Sequence, residues 1–301
     1  MNFFRLKIFD ALTVFLALVI EAIPFILLGV FLSALLSRYL SAERLVRFFP
    51  RNRFGAMLAA TGLGFLFPVC ECGNVPVARR LMQKKVPPWV TIVYLLSAPV
   101  FNPLVILSTW SAFRFWPEIV WLRILLSLLV AFLVGTFLSF HPQQESLIQK
   151  KYFDEEHGTC GVDGHDCEKP KTFLETITGE FFEMMKYLLV GAFFASMIQL
   201  VIPRTFILQL GNEAVFSILT MMILAMVTSV CSNVDAFIAL SYSASFSGAS
   251  LLSFLVLGPI FDLKSIFLLR RLYTNQALLL IFSLSVVLIF LFTILLQIFF
   301  L

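Results

Sequence analysis

Phe67-Pro-Val-Cys70-Glu71-Cys72-Gly-Asn74-Val-Pro-Val-Ala78 interrupts a long apolar run with two cysteines, a carboxylate and two prolines. Ser229-Val-Cys231-Ser-Asn233-Val-Asp235-Ala-Phe-Ile-Ala239 repeats the device in the second half of the chain. Both place Cys, then Asn-Val, at the end of an apolar segment. Proline removes a backbone donor and glycine permits unusual backbone angles, so neither stretch continues a regular helix. Unwound backbone in a bilayer must be covered by protein or line water. Two such breaks, one per half, point to a transporter with a substrate path between two repeats.

The surrounding composition is that of an integral membrane protein. Of 301 residues 60% are hydrophobic and 13% charged, and mean hydropathy is +0.95. A soluble domain with so little charge would not stay dispersed. Apolar segments lie at about 9–37, 54–69, 75–83, 88–110, 118–139, 180–202, 214–230, 234–246, 250–270 and 272–301. Several reach the roughly 20 residues that cross about 30 Å of hydrocarbon. The first is too long for the apolar core of a cleavable signal and reads as a span. The net charge of +4 comes from loop Lys and Arg, with no basic stripe of the kind that binds nucleic acid.

The halves match in three places, the cysteine motif among them. Glu21 pairs with Glu183, Gly29 with Gly191 and Phe31 with Phe193. Cys72 pairs with Cys231 and Asn74 with Asn233. Pro99 pairs with Pro259 and Asn102 with Asp262. A constant order at a nearly constant offset marks an internal duplication. The expected fold is therefore all-α and polytopic: a first membrane repeat over 1–139, a hydrophilic linker over 140–172, and a second repeat over 173–301.

Charge orients the repeats. If 54–83 is a re-entrant hairpin, Arg38, Arg44, Arg47, Arg51 and Arg53 share a side with Arg79, Arg80, Lys84 and Lys85. The linker and Arg270/Arg271 join them; Arg5, Lys7, Arg114, Arg123 and Arg204 sit opposite. The positive-inside rule makes the first side cytoplasmic. Three spans plus one hairpin per half then give an inverted repeat, with eight continuous spans as the competing count.

The candidate substrate-binding or coupling residues are Cys70, Glu71, Cys72, Asn74, Asn102, Cys231, Asn233, Asp235, Asp262 and Lys264. Cysteines offer soft sulfur, and carboxylates exchange protons or balance a cation. Ionisable side chains held at membrane depth are costly and usually functional. Set against this, a buried cysteine is often only a small core hydrophobe, and a buried Asp can cap a helix. Arg79 and Arg80 are expected to anchor topology rather than bind solute. Glu183 has Lys186 at helical spacing as a possible partner. In the linker, His157, Cys160, His165 and Cys167 could complete a tetrahedral site for Zn²⁺ or Cu(I), although their spacing fits no standard zinc module.

Phe67–Arg80, Ala98-Pro-Val-Phe-Asn-Pro103, Cys231-Ser-Asn-Val-Asp-Ala-Phe237 and Gly258-Pro-Ile-Phe-Asp-Leu-Lys264 together resemble the predicted permease family that includes the ArsP-type organoarsenical efflux permeases. Asn233 departs from the acidic residue expected there in many relatives. The resemblance implies a multi-pass permease but not its solute; with Cys70, Cys72 and Cys231 as sulfur ligands, the expectation is an inner (cell) membrane permease exporting a soft metal, metalloid or organometalloid species. It implies no required cofactor and no enzymatic activity. No Walker motif is present, so active transport needs an ion gradient or a separate energy-coupling partner. The expected partners are the bilayer, a small thiophilic solute, and a membrane partner or a second copy. A membrane-embedded thiol oxidoreductase using Cys70 and Cys72, or a subunit of a membrane complex, are the alternatives.

Overall fold

The computed structural model describes residues 2–39, 49–50, 52–67, 69–140, 147–149, 173–201 and 214–299. Twelve helices are described. The first half holds α1 (Asn2–Tyr39), α2 (Arg53–Leu66), α3 (Glu71–Gln83), α4 (Pro88–Ser97), α5 (Pro103–Ala112) and α6 (Pro117–Ser139). The second holds α7 (Phe173–Val201), α8 (Ala214–Thr228), α9 (Asp235–Ser241), α10 (Gly248–Ile260), α11 (Leu263–Leu269) and α12 (Asn275–Phe299). The order long, short, short, short, short, long is the same in both.

Five helical stretches are long and apolar enough to cross a membrane: Phe9–Leu36, Pro117–Ser139, Ile177–Gln199, Gly248–Leu269 and Asn275–Phe299. The remaining apolar helices are shorter. A ten-residue helix is about 15 Å long, half the hydrocarbon thickness. Such half-helices leave unpaired backbone groups inside the membrane unless other parts of the chain satisfy them.

The segment expected as one span at 88–110 is in fact α4 and α5, separated at 98–102. Pro103 is the reason, because the residue before a proline avoids helical geometry. Asn102 accordingly takes an extended conformation and caps α5, accepting from the Leu104 amide at 3.0 Å. The 250–270 segment is interrupted in the same way at 261–262. Asp262 there forms a capping box with Ser265, with bonds of 2.6 and 3.0 Å. Each half thus has two breaks, where the cysteine motifs alone announce one.

The breaks within a half are stitched together. In the first, the Val69 carbonyl accepts from the side-chain amides of Asn74 and Asn102 at 3.3 and 3.4 Å. In the second, Ser229 accepts at its hydroxyl from the Leu263 amide, at 3.2 Å, and at its carbonyl from Lys264 Nζ, at 2.8 Å. Side chains of the second break therefore satisfy backbone freed at the first.

Packing interleaves the halves. α1 lies on α7, α4 on α10 and α6 on α12, so each meets its counterpart. The half-helices cross over: α3 packs against α11, and α9 against α5. The buried core runs through both halves without a divide.

Candidate functional site

Cys70 is the extended residue preceding α3, and its carbonyl accepts from the Gly73 and Asn74 amides, both at 3.1 Å. Cys231, which the sequence pairs with Cys72, lies one turn ahead of α9 and makes the same pattern as Cys70, its carbonyl accepting from the Val234 and Asp235 amides at 2.9 and 3.1 Å. The crossing of the half-helices brings the two turns face to face. Ligand atoms of Cys70, Glu71 and Cys231 all lie within 4.8 Å of one another, and all three residues are buried. A tetrahedral cation with metal–sulfur bonds near 2.3 Å would set its ligand atoms roughly 3.8 Å apart. The three atoms are thus no more than about 1 Å farther apart than such a cation would set them.

α11 supplies the electrostatic complement. Lys264 Nζ lies 3.0 Å from Glu71 Oε1 and 3.4 Å from Asp262 Oδ2. It is almost wholly buried, at 3% exposure. Residues two apart on a helix do not face each other; Asp262 and Lys264 meet because Asp262 stands outside α11 as its cap. Glu71 is itself 5% exposed, and neither of its carboxylate oxygens accepts a hydrogen bond among the described residues. Glu21, half-buried on α1, lies within electrostatic range of Lys264, Glu71 and the Cys231 thiol.

Two glycines hold these parts in place. A Cβ on Gly29 of α1 would sit 2.3 Å from the Gly73 carbonyl oxygen, beside the start of α3. One on Gly191 of α7 would sit 2.7 Å from the Lys264 Cα. These are the two residues that the sequence comparison pairs. Each lets a long helix press its backbone against one side of the site, the close approach that small residues permit in membranes.

The other expected site residues fall elsewhere. Cys72 is buried beside Cys70, but its sulfur is not one of the three converging ligand atoms. Asn74 and Asn102 hold the Val69 carbonyl, and Asn74 also accepts from the Tyr94 hydroxyl at 2.8 Å. Asn233 is half-buried, and its Oδ1 accepts no hydrogen bond among the described residues. Asp235 is not a lone carboxylate. It pairs with Arg123 of α6 through both oxygens, at 3.1 and 2.5 Å, and Arg123 also donates to Thr109 of α5 at 2.7 Å. Arg123, counted in the sequence among the flanking charges, is 1% exposed. His157, Cys160, His165 and Cys167 lie outside the described residues.

A second polar array closes the far end of α3. Arg79 and Arg80, expected as topology anchors, are each 5% exposed. Arg80 is ion-paired with Glu180, which also accepts from Ser33 at 3.1 Å. Arg79 reaches Glu183 at 3.6 Å, and Arg271 pairs with the same carboxylate. The sequence offered Lys186 as the partner of Glu183 and passed over Glu180. The available signal was the three-residue spacing of the two acids, which puts both on one face of α7 opposite adjacent arginines.

Five helices long and apolar enough to cross a membrane, interleaved with shorter helices around a buried cluster of cysteines, a lysine and carboxylates, make this a multi-pass helical membrane protein. The chain matches the family model described as "Predicted permease" over residues 7–298, and it belongs to that family. It is 38% identical to "UPF0718 protein YcgR" of Bacillus subtilis (strain 168), over 92% of this chain and 93% of that one. It is 34% identical to the "Putative two-component membrane permease complex subunit" of Streptococcus mutans serotype c (strain ATCC 700610 / UA159), over 90% and 89% respectively. No solved structure gives a significant match.

Proposed function

We propose that this permease exports a soft metal, metalloid or organometalloid cation, driven by an ion gradient. The reading rests on one observation: two sulfurs and a carboxylate from opposite halves converge at buried positions. Thiolate sulfur favours soft, thiophilic species over Mg²⁺ or Ca²⁺. The two halves form an inverted repeat, and the half-helices α3 and α9 open the path between them. The membrane is the inner (cell) membrane, with the linker on the cytoplasmic side, and any Zn²⁺ or Cu(I) held there tunes transport.

The test is flux into sealed vesicles across a panel of metals and metalloids, comparing wild type with Cys70→Ser. A hydroxyl in place of a soft sulfur should lower flux of thiophilic species by about tenfold or more and leave harder solutes little changed. Equal loss for both kinds, or no loss, would sink the reading. The Streptococcus mutans relative's description favours a second reading, in which the chain works as one subunit of a two-component permease. Flux that appears only when a partner subunit is co-reconstituted would support it.

A further inference from the structure

Lys264 is the one member of the buried cluster that cannot ligate a soft cation while it carries a charge. Its ammonium is nonetheless placed where such a cation would be balanced, 3.0 Å from Glu71 Oε1. A lysine serving only to neutralise Glu71 would not need a second carboxylate. Asp262, 1% exposed, stands 3.4 Å from the same nitrogen. The Ser229 carbonyl also accepts from the ammonium, at 2.8 Å. Glu71, by contrast, has nothing but this ion pair: its oxygens accept no hydrogen bond among the described residues. A buried carboxylate so poorly tied is unusual, since buried charges are normally paired and hydrogen-bonded.

We propose that Lys264 is a tethered cation that occupies the place of the transported cation while the site is empty. This rests on the reading of Cys70, Glu71 and Cys231 as the binding site. In the empty state Lys264 balances Glu71. An arriving soft cation takes the Glu71 oxygens together with the two sulfurs, and Lys264 shifts to Asp262 alone, still held by the Ser229 carbonyl. Every buried charge keeps a partner in both states, which explains why two carboxylates attend one lysine. Release follows the reverse exchange: the returning ammonium displaces the cation from Glu71. The side chain's four rotatable bonds allow that small excursion, while α11 stays fixed by the Asp262–Ser265 capping box and by Gly191 against its backbone.

The experiment is Cd²⁺ binding to the purified full-length protein by titration calorimetry, scoring the binding component that Cys70→Ser abolishes. Removing the competitor should tighten that component. Lys264→Met is expected to raise Cd²⁺ affinity by about tenfold or more, whereas Lys264→Arg, which keeps the charge, should stay near wild type. Lys264→Gln, which retains a donor for the Ser229 carbonyl, guards against a misfolded methionine variant. A residue that merely supported the fold would lose affinity on replacement, so tightening separates the two roles. If wild type binds Cd²⁺ through Cys70 and neither neutral variant binds it more tightly, the tethered-cation role is overturned and the site reading survives. If no form shows Cys70-dependent binding, both fall.

Discussion

Replacing Gly29 by Ala adds one methyl group where α1 touches α3. The new Cβ would lie 2.3 Å from the Gly73 carbonyl oxygen and 2.6 Å from its Cα, whereas ordinary contact begins near 3.4 Å. Both obstacles are backbone, so no side chain can swing aside; the helices must separate by about 1 Å. Overpacking of this kind costs about 1–3 kcal/mol, set against a gain of about 0.5–1 kcal/mol from placing Ala rather than Gly in a helix. Gly62→Ala on α2 is the control, because a Cβ there meets nothing within 4 Å. It should keep the helix gain and melt slightly higher. The assay is thermal unfolding in detergent followed by size exclusion, with flux of a thiophilic cation measured in parallel. Gly29→Ala is expected to melt several degrees below wild type and to lose most of its flux. The reason is that α3 starts at Glu71, directly after Cys70, so displacing it moves two of the three converging ligand atoms. If Gly29→Ala melts and transports like Gly62→Ala, the close contact of α1 with the site does not control its geometry.

Three other outcomes follow from the charges and from the linker. Arg123→Leu should destabilise the protein by about 3–5 kcal/mol by leaving Asp235 buried and uncompensated, while Arg123→Leu with Asp235→Leu should recover most of that loss; equal melting of the single and double variants would show that the pair is not coupled. Replacing His157, Cys160, His165 and Cys167 together by Ser or Ala should change the metal dependence of flux and not abolish it, as measured in vesicles with membrane insertion confirmed. Single cysteines introduced at Phe48, Val86 and Glu155 in a cysteine-free background should all label from the cytoplasmic side; labelling of positions 48 and 86 from opposite sides would refute the re-entrant arrangement of 54–83.

The membrane class and the family were legible because length and composition of apolar runs, and the Cys-Asn-Val motifs, are local properties. The pairing of Gly29 with Gly191 was legible as well, but not its purpose, since contact with Gly73 and Lys264 depends on how helices cross. The breaks at 98–102 and 261–262 were written in the motifs Pro-Val-Phe-Asn-Pro and Pro-Ile-Phe-Asp, yet hydropathy stays high through both and hides them. Cys70, Glu71 and Cys231 were three of the ten candidates named from the sequence, and the structure brings their ligand atoms together. Asp235 was grouped with them because its motif matches, and its partner Arg123 could not be found by spacing: the two are separated by 112 residues and no helical or strand periodicity connects them. Arg123 was read as flanking charge because it lies near the start of its apolar run, where a long side chain usually reaches the interface.

That separation has a consequence for how the protein is made. α6 enters the bilayer carrying Arg123 while Asp235 is still 112 residues from being synthesised. At about 5–20 residues per second, the wait is on the order of 10 s. An arginine within a spanning helix costs roughly 2.5–3.5 kcal/mol on insertion scales, and the strongly apolar remainder of Pro117–Ser139 must carry it. Thr109, fourteen residues earlier, is a hydrogen-bond partner of the guanidinium that is already in place. The first half therefore inserts as an unfinished body, and the arrival of α9 is the event that locks it.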